Sequence, residues 1–548
     1  MKLHRRGLSI VLLLAVFISV YLAVPCKVQA ASKPVLSKKT VIVTKGKTVT
    51  IKVRNAKKRV KWSSTNKKIA YVKKKTGKKR QKAVIKAKKK GTCYIKAKIG
   101  KKTLKCKVTV KNKGDVTVTP VFPDDEGTGL EDRVIRTRKL SNSSKDLTAG
   151  MKSYPPAYSA PDAAFINGTS SFSFNLFKET VKSERKTSAV TNILISPDSV
   201  MTALAMTENG AAGNTLSEME YVLGGGISAT GIPCARFNTY LSGLNRKLMG
   251  SDAFIYNVAN SIWARENMVS PKTSFLQANK NYHDAEYYVA PFNDQTSADM
   301  NSWVFNKSRN MIDNIIGKLS EDSRMVLINT IAFEGVWAKQ FEESRMKRED
   351  FTSGSGAKQS AMMLKDTGDY QYFTVNSGQA FVKSYRIGKK AGKIAFVGIL
   401  PPKGESIDHF IAGLNGSSFI SAWNSRKNAV INLSLPEFSY DYSTEMADSL
   451  NELGIREAFT DDADFSNMAI PTPETPGLKI SKVLHKTHIE VYAKGTKAAA
   501  ATAVVMEKAG AAFGTDIIEL KFDRPFVYAL VDADSGIPLF IGEVVSVG

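Results

Sequence analysis

Short runs in which apolar and polar residues alternate fill residues 31–113. Alternation with a period of two places half of the side chains on each face of a strand, so each run predicts a half-buried β-strand. Glycines beside lysines, such as Gly46 and Gly100, mark turns. The runs cover residues 40–43, 48–53, 60–63, 69–72, 83–85, 93–99 and 103–110. Strands of this length and spacing predict a small all-β sandwich.

Helical and strand patterns mix from residue 166 to residue 548. Apolar residues at helical spacing predict amphipathic helices, and continuous apolar runs predict buried strands. The helix patterns cover 172–181, 199–209 and 300–316. The strand runs cover 326–333, 394–400, 430–435 and 526–531. This mixture is typical of an α+β domain.

Residues 114–165 keep neither period. Prolines interrupt the stretch at positions 120, 123, 155, 156 and 161. We expect a flexible linker with a root-mean-square span of roughly 40 Å. The expected organisation is therefore a β domain at 31–113, a linker at 114–165 and an α+β domain at 166–548.

The first 30 residues carry the pattern of a secretory signal. Basic residues at 2, 5 and 6 precede an apolar stretch at 8–24, and Ala30 closes a site of small residues. We expect 1–30 to be a signal peptide that is removed, and the protein to be secreted and extracellular. An uncleaved membrane anchor is the alternative, since the apolar run approaches spanning length. After cleavage we expect no transmembrane segment.

Charge is unevenly distributed along the chain. The 79 basic and 50 acidic residues give a net charge of +29. Residues 31–113 contain 32 lysines and arginines and no acidic residue, whereas 114–548 carry a net charge of −7. We expect 31–113 to bind anionic glycopolymers or cell wall through many weak, salt-sensitive contacts. A solvated spacer is the alternative, and the few aromatic residues argue against specific nucleic-acid binding.

Three cysteines lie beyond the signal segment, at positions 93, 106 and 234, and they are too few for a disulfide scaffold. Cys93 and Cys106 lie at similar distances from the turn at Gly100, so they could be cross-strand neighbours. Because the sequence does not fix the strand register, it leaves open whether these two cysteines are bridged.

Enzyme chemistry finds little support in the sequence. Only five histidines occur, and no nucleophile elbow, phosphate loop or zinc-protease motif is present. Cys234 has no catalytic partner that the sequence identifies, and His485 and His488 lack further ligands at metal-site spacing. We expect no catalytic activity, no cofactor and no metal.

The basic region resembles the bacterial group-2 Ig-like repeat. The matching segments are 60–64 around Trp62, 68–72, 90–92 and 106–110. The resemblance implies an Ig-like surface or spacer domain of bacterial type.

The region after residue 166 resembles the serpin family of serine protease inhibitors. Eight segments match in family order over nearly the whole region. They are 192–199, 209–215, 260–263, 301–312, 328–337, 435–438, 522–526 and 539–544. The resemblance implies a monomeric α+β fold with three sheets and about nine helices. It also implies irreversible inhibition of serine, and alternatively cysteine, proteases.

The resemblance places a polar cluster under the main sheet, and we call it the shutter cluster: Ser196, Ser199, Asn329 and His485. These residues stand within apolar strings, so each needs a hydrogen-bond partner. Both arguments make the cluster a structural latch rather than a catalyst.

The resemblance also identifies the hinge of an exposed reactive-centre loop. The hinge comprises Gly495, Thr496, Lys497, Ala498, Ala499, Ala500, Ala501 and Thr502. In serpins a protease cleaves this loop and is acylated by it, and the hinge then inserts as a new strand of the main sheet. Small residues alternate toward the interior, and no proline obstructs insertion as far as Val505.

Counting fourteen residues from Gly495, as the family does, places the cut between Ala509 and Gly510. Alanine before the cut suits an elastase-like protease, whereas the competing register with Lys508 before the cut suits a trypsin-like one. Met506 or Phe513 would serve in other frames. The sequence departs from the family at Ala493 and Lys497, where glutamate is usual, and in the 29 residues between Gly495 and Pro525.

Two functions remain after enzymes are set aside. The first is a secreted suicide inhibitor that forms a covalent acyl complex with its target protease, held at a wall or glycan by residues 31–113. The second is a non-inhibitory serpin scaffold that acts as a surface adhesin.

Overall fold

The computed structural model describes fourteen stretches of the chain: residues 34–36, 40–46, 48–54, 56, 58–76, 80–100, 102–111, 136–187, 191–226, 231–321, 323–390, 392–470, 477–496 and 517–547. The chain divides into two compact units, Met1–Thr117 and Val118–Gly548.

Unit 1 contains two four-stranded sheets, with strand orders β1-β3-β6-β5 and β2-β8-β7-β4. The strands are β1 (Val35–Leu36), β2 (Thr40–Thr44), β3 (Thr48–Arg54), β4 (Lys61–Ser64), β5 (Ala70–Thr76), β6 (Lys82–Ala87), β7 (Gly91–Ile99) and β8 (Lys102–Lys111). Each of the seven predicted runs overlaps one of β2–β8. Ile51 and Ile85 of one sheet and Ile95 and Val108 of the other are fully buried in one core. Alternation of side chains therefore buries one face of each sheet.

The two cysteines of unit 1 are unbridged. In the β7–β8 ladder Cys93 lies opposite Val108, and Cys106 lies opposite Ile95. The two side chains are thus diagonal neighbours on the buried face, at roughly 7–8 Å, whereas a disulfide needs Cβ atoms about 4 Å apart. The register excludes the bridge that the sequence left open.

Unit 2 contains nine α-helices among its described residues, as the serpin resemblance implied. They are α1 (Ala163–Thr187), α2 (Pro197–Glu208), α3 (Gly213–Leu223), α4 (Cys234–Met249), α5 (Thr273–His283), α6 (Asp294–Lys307), α7 (Ile407–Gly413), α8 (Gly416–Asn424) and α9 (Ala447–Leu453). Two 3₁₀ turns lie at Glu343–Arg345 and Glu457–Phe459.

Three sheets make up the β structure described in unit 2. The main sheet has the strand order β20-β22-β23-β14-β11-β13-β9, and a nine-stranded sheet has the order β10-β26-β25-β18-β17-β16-β19-β24 with β15 on β16. β12 and β21 form a separate pair. The strands are β9 (Lys145–Asp146), β10 (Ile193–Ile195), β11 (Phe254–Arg265), β12 (Ser270–Pro271), β13 (Glu286–Ala290), β14 (Met325–Val336), β15 (Lys347–Thr352), β16 (Lys358–Val375), β17 (Gly378–Ser384), β18 (Ile394–Leu400), β19 (Lys427–Pro436), β20 (Phe438–Glu445), β21 (Ala469–Ile470), β22 (Leu484–Tyr492), β23 (Gly495–Thr496), β24 (Ile518–Lys521), β25 (Phe526–Asp532) and β26 (Pro538–Val544).

The predicted helix at 300–316 is wrong at both ends. Helix α6 begins at Asp294, because the Asn293 side chain and Thr296 form a reciprocal capping box. It ends at Lys307, and Arg309 and Asn310 then take φ angles of 55° and 66°. Left-handed backbone at two consecutive non-glycine residues does not continue a right-handed helix.

The predicted linker at 114–165 differs from the structure over its second half. From residue 136 to residue 162 the chain, which we call the extension, lies on the body of unit 2. Its strand β9 pairs antiparallel with β13 at the edge of the main sheet. Arg138 stacks on Phe305 of α6, 3.7 Å from the ring centroid to the guanidinium carbon. Asp299 of α6 accepts hydrogen bonds from Ser141 N and from Ser144 Oγ, at 2.9 and 2.6 Å. Side-chain partners on unit 2 thus order a segment in which proline-rich composition predicted flexibility.

No helix in the described part of the chain is both long enough and apolar enough to cross a membrane. The predicted signal peptide, 1–30, lies outside the described residues.

Candidate functional site

The main sheet is incompletely paired between β14 and β22. Leu327 of β14 forms one parallel bridge with Val483, just before β22. At the other end, β23 lies between the two strands and pairs antiparallel with both. Gly495 lies opposite Val336 on one side and Tyr492 on the other. A strand that continued β23 antiparallel to both neighbours would therefore find backbone partners on both sides.

Close packing of β23 against β14 explains why the hinge begins with glycine. A Cβ atom on Gly495 would lie 2.9 Å from the Cα of Val336, closer than real Cβ atoms approach other atoms. Gly495 is buried, and Thr496 is only 2% exposed. The start of the hinge, predicted to belong to an exposed loop, is thus already part of the main sheet.

The structure brings the four residues of the shutter cluster together below the main sheet. Ser196, at the N-cap of α2, donates its backbone N–H to Nε2 of His485 at 3.0 Å and its hydroxyl to the Leu539 carbonyl at 2.8 Å. Ser199 donates its backbone N–H to Ser196 Oγ at 3.2 Å and its hydroxyl to Oδ1 of Asn329. The cluster thus connects α2 to β14 and β22, the two strands that flank the hinge.

An amide network extends the shutter cluster across the sheet. Asn329 Nδ2 donates to Oδ1 of Asn260 on β11 at 2.5 Å, and Asn260 Nδ2 donates to the carbonyl of His283 at 3.0 Å. Asn260 and Asn329 lie opposite each other in the β11–β14 ladder. Both side chains are over 90% buried, so these bonds satisfy groups that would otherwise be costly to bury.

Burial determines the charge state of the histidine in the shutter cluster. His485 is 5% exposed, and desolvation lowers its pKa to about 4. Its Nε2 must carry no proton at neutral pH, because it accepts from the backbone N–H of Ser196. A neutral, acceptor-only nitrogen suits a latch and does not suit a general acid.

A buried aromatic pocket holds the first residues of the hinge. The hydroxyls of Thr496 and Tyr385 lie 2.5 Å apart. The Tyr385 ring stacks on Trp337, with centroids 4.4 Å apart and planes 18° from parallel. Trp337 Nε1 donates to the Tyr492 carbonyl at 3.0 Å, which fixes the strand that precedes β23. Aromatic stacking and two hydrogen bonds therefore position the hinge at this point.

Lys383 lies beside this pocket and is 4% exposed. Its Nζ lies 4.1 Å from the centroid of Phe341 and 5.4 Å from that of Tyr370. Desolvation lowers the pKa of Lys383 to about 7, against the opposing effect of Asp366. Tyr370 donates its hydroxyl to Asp366 at 2.6 Å. The aromatic faces compensate part of the cost of burying the cation.

Most of the predicted loop lies outside the described residues. This applies to the hinge from Lys497 to Thr502 and to the predicted bond Ala509–Gly510 with its alternative at Lys508. Ala493 is described, and it is 5% exposed. Its carbonyl accepts from the backbone N–H of Phe341 at 2.9 Å, so its fixed position depends on backbone bonds rather than on the ion pair that glutamate would supply.

The four residues of the shutter cluster were named from the sequence, whereas the residues of the pocket were not. Tyr385, Lys383 and Asp366 lie on or beside strands of the nine-stranded sheet and carry no local motif. Trp337 is the last residue of the 328–337 segment, and it is the one residue of the pocket that the sequence analysis included in a matching segment. No group of three or more histidine, cysteine or acidic side chains that could hold a metal occurs in the described parts of the chain.

Comparisons with known proteins agree with this geometry. Residues 167–547 match the family model "Serpin (serine protease inhibitor)". A serpin-like protein of Thermococcus kodakarensis is 28% identical over 386 residues, which are 70% of this chain and 85% of the relative. Neuroserpin of Gallus gallus is 29% identical over 372 residues, which are 64% of this chain and 85% of the relative.

A solved structure extends the agreement to the fold. The native state of tengpin, a thermophilic serpin, is 36% identical, with a TM-score of 0.66, and the alignment covers 74% of this chain and all of tengpin. The family match does not extend to residues 31–113, for which the Ig-like resemblance stays a prediction. Since the family model spans well over half of the chain, the chain belongs to the serpin family.

Proposed function

We propose that this serpin is a secreted suicide inhibitor of serine proteases that acts by loop cleavage and strand insertion. The observation that carries the proposal is β23, which already lies between β14 and β22 and pairs with both. In this proposal the protein is a trap whose cleaved loop acylates the protease, and it is not itself a catalyst. An elastase-like target and secretion follow from the predicted bond and the signal pattern in the sequence.

The register of β23 determines where an inserted hinge would lie. Thr496 lies opposite Gly335 of β14 and Val491 of β22. Continuing both antiparallel ladders places Thr502 between Asn329 and His485, on the rung of the shutter cluster. The same extension places Val504 between Leu327 and Val483, so insertion must break their bridge. Residues 495–506 would then span β14.

The parity of the ladder separates inward from outward residues of the hinge. Thr496 is buried, so Ala498, Ala500 and Thr502 share its side of the sheet after insertion. Ala499 and Ala501 take the opposite side. All of these residues are small, which is what insertion into a packed core requires.

The test is formation of a covalent complex. The protein is mixed with elastase-like and trypsin-like serine proteases, and each mixture is examined for a complex that survives SDS. We expect a complex in which the protease is esterified to the new C-terminus of the hinge fragment. Mass analysis of the released C-terminal peptide identifies the bond: a fragment starting at Gly510 supports an elastase-like target, and one starting at Ala509 supports Lys508.

Two alanine variants provide a matched pair for this test. Ala498→Arg places a charge toward the core during insertion, whereas Ala499→Arg places the same charge on the opposite side. When insertion is slower, the acyl-enzyme is hydrolysed before the strand has inserted. Ala498→Arg is therefore expected to turn the inhibitor into a substrate and to raise the stoichiometry of inhibition at least several-fold. Ala499→Arg is expected to stay near the parent. Equal stoichiometries for the two variants would contradict the inward placement of Ala498, and the absence of a complex with every protease would favour the non-inhibitory adhesin.

We propose a second role for unit 1, which is attachment to a polyanion outside the cell. The supporting observation is the complete absence of aspartate and glutamate from residues 31–113 beside 32 basic residues. Charge of one sign over a small unit attracts polyanions and releases them as salt rises. Binding of the full chain to an anionic polymer at low salt, and elution as salt rises, tests this role separately from inhibition.

A further inference from the structure

One sheet face of unit 1 concentrates lysines in a regular array. Strands β4, β7 and β8 alternate buried and outward residues, and the outward side carries a set that we call the lysine face. It comprises Lys61, Lys96, Lys98, Lys105 and Lys107. Four of the five are exposed, and Lys96 is half-buried. The opposite side of the same strands carries core residues such as Ile95 and Val108.

The strand register places these lysines directly beside one another. Lys96 lies opposite Lys105 in the β7–β8 ladder, and Lys98 lies opposite Lys61 in the β4–β7 ladder. Like charges that face each other across a sheet destabilise it. No acidic residue exists in residues 31–113 to separate them. An arrangement that costs stability within the unit indicates a use outside it.

The lysine face presents single positive charges at short and regular spacings. Lysines two positions apart, such as Lys105 and Lys107, lie about 6.7 Å apart along a strand, and neighbouring strands lie about 4.8 Å apart. The face is the side of a sheet and not a groove, so a flexible chain can lie across it. Each ammonium group is a point charge with three donors, and it reaches a phosphate oxygen without a fixed orientation.

The chemistry of the face disfavours recognition of bases. It contains no arginine, the residue that reads guanine or clamps an anion with two parallel bonds. Tyr94, opposite Lys107, is 42% exposed and is the one aromatic side chain that lies outward on β4, β7 or β8. Trp62 is 5% exposed and belongs to the core. Stacking, which dominates binding of single-stranded nucleic acid, has little surface here.

We propose that the lysine face binds a linear polymer of alcohol phosphodiesters, which offers repeated single negative charges and no bases to stack. The proposal rests on the polyanion role proposed for unit 1 and names its surface and ligand chemistry. Contacts are ammonium-to-phosphate hydrogen bonds, assisted by charge, along the rows on β7 and β8.

The test compares two charge-matched variants of the full chain. The face variant carries Lys96→Gln, Lys98→Gln, Lys105→Gln and Lys107→Gln. The control variant carries Lys67→Gln, Lys73→Gln, Lys74→Gln and Lys82→Gln, which are exposed lysines of the other sheet and of the turn before β5. The probes are synthetic poly(glycerol phosphate), oligo(dT) with the same number of phosphates, and heparin, each titrated over a range of salt concentrations.

We expect the face variant to lose at least tenfold in affinity for poly(glycerol phosphate), with the salt slope reduced by about 3, and the control variant to change much less. Thermal melting checks folding, and the face variant is expected to melt no lower than the parent because two like-charge pairs are relieved. Equal losses in both variants would overturn the lysine face. Tighter binding of oligo(dT) or heparin than of poly(glycerol phosphate) would overturn the ligand class.

Absence of binding by the parent chain to all three probes at low salt would overturn the polyanion role together with the lysine face. The inhibitor proposal is unaffected by that result, because covalent complex formation with a protease tests it independently. Both lysine variants are expected to inhibit as the parent does, since neither set of residues belongs to unit 2.

Discussion

Single buried polar groups determine how the main sheet is held. Ser196, Asn329 and His485 each have a defined partner, and a change at any of them leaves another group unsatisfied. The same holds in the buried aromatic pocket, where the Thr496 and Tyr385 hydroxyls share one hydrogen bond and the loss of one hydroxyl leaves the other without this partner. At the residue scale, one prediction concerns the protonation of His485, and the other concerns the hydrogen bond between the Thr496 and Tyr385 hydroxyls.

The proton on His485 links stability to pH. Its pKa is lowered to about 4 in the native state, against 6.5 for an ordinary histidine, so the unfolded chain binds a proton first as pH falls. Native stability therefore decreases from about pH 6.5 to about pH 4, by about 3 kcal/mol from this group. His283, with a pKa lowered to about 3 by desolvation, adds an effect of the same sign.

The variant His485→Gln isolates this contribution. Its amide oxygen can accept from Ser196 N–H but does not titrate, so its stability should fall less between pH 6.5 and pH 4 than that of the parent. Denaturant unfolding over that pH range measures the difference, to which His283 contributes equally in both proteins. Parallel pH profiles for the two proteins would show that His485 is not the group that responds.

The hydroxyl pair in the pocket permits a double-mutant cycle. Tyr385→Phe and Thr496→Val each remove one partner of a buried bond, at an expected cost of about 1 kcal/mol. Because the two hydroxyls share that bond, the double variant should lose less than the sum of the single variants. Denaturant unfolding of the parent, the two single variants and the double variant gives the free energies of unfolding for the cycle. Strict additivity would mean that the bond does not hold the hinge in solution.

Individual elements show where sequence patterns succeed and where they fail. Strands β2–β8 of unit 1 and the strand at 394–400 were predicted correctly, because the alternating or continuous apolar pattern within each strand is enough to identify it. Helix α6 was misplaced because its cap at Asn293 and the left-handed residues after Lys307 outweigh its apolar spacing. The extension was missed because its order depends on side chains far away in sequence, such as Asp299.

Asp299 is the charged residue of α6 that accepts the hydrogen bonds of the extension. Asp299 accepts from Ser141 N, Ser141 Oγ, Ser144 Oγ and Gln295 Nε2. Against the desolvation that raises it, these bonds hold the pKa of Asp299 below its ordinary value. Asp299→Asn should cost about 1.5–3 kcal/mol, because charged acceptors make the stronger hydrogen bonds. Trypsin should then cleave at residues 136–152 faster than in the parent.

Asp313→Asn serves as the control for this change. Asp313 pairs with Arg138 on the same segment, but its side chain is 69% exposed. An exposed pair contributes little, so this variant should cost less than about 1 kcal/mol and leave the cleavage rate nearly unchanged. Equal sensitivity of both variants to trypsin would show that Asp299 is not the anchor.

At the scale of the whole molecule, the family and the order of its segments could be predicted from the sequence, while the position of Gly495 and Thr496 within the main sheet came from the structure alone. The sequence predicted that Gly495 and Thr496 belong to an exposed loop, yet both residues pair with β14 and β22 in the main sheet. The pocket of Tyr385 and Lys383 could not be predicted, since it is assembled from strands more than a hundred residues before the hinge. Long-range packing produces both features.

Cutting the loop should raise thermal stability. Insertion would pair residues 495–506 with β14 and residues 495–503 with β22, two strands that are now joined only by the bridge between Leu327 and Val483 and by β23 in the described part of the chain. The intact protein is then a kinetically trapped state. Melting curves before and after nicking by a non-target protease test this, and we expect a clear upward shift. An unchanged or lower melting temperature would identify a scaffold that does not insert.

The position of β23 between β14 and β22 also limits how many protease molecules one copy of the protein can inhibit. Under the proposed mechanism, an inserted strand gains partners along both edges at once, so no route returns the molecule to its starting state. Each copy can therefore act once, and the capacity of a population is counted in molecules and not in turnovers. A cell that depends on this protein must replace one chain for every protease removed, which makes rate of synthesis, rather than affinity, the quantity that limits protection.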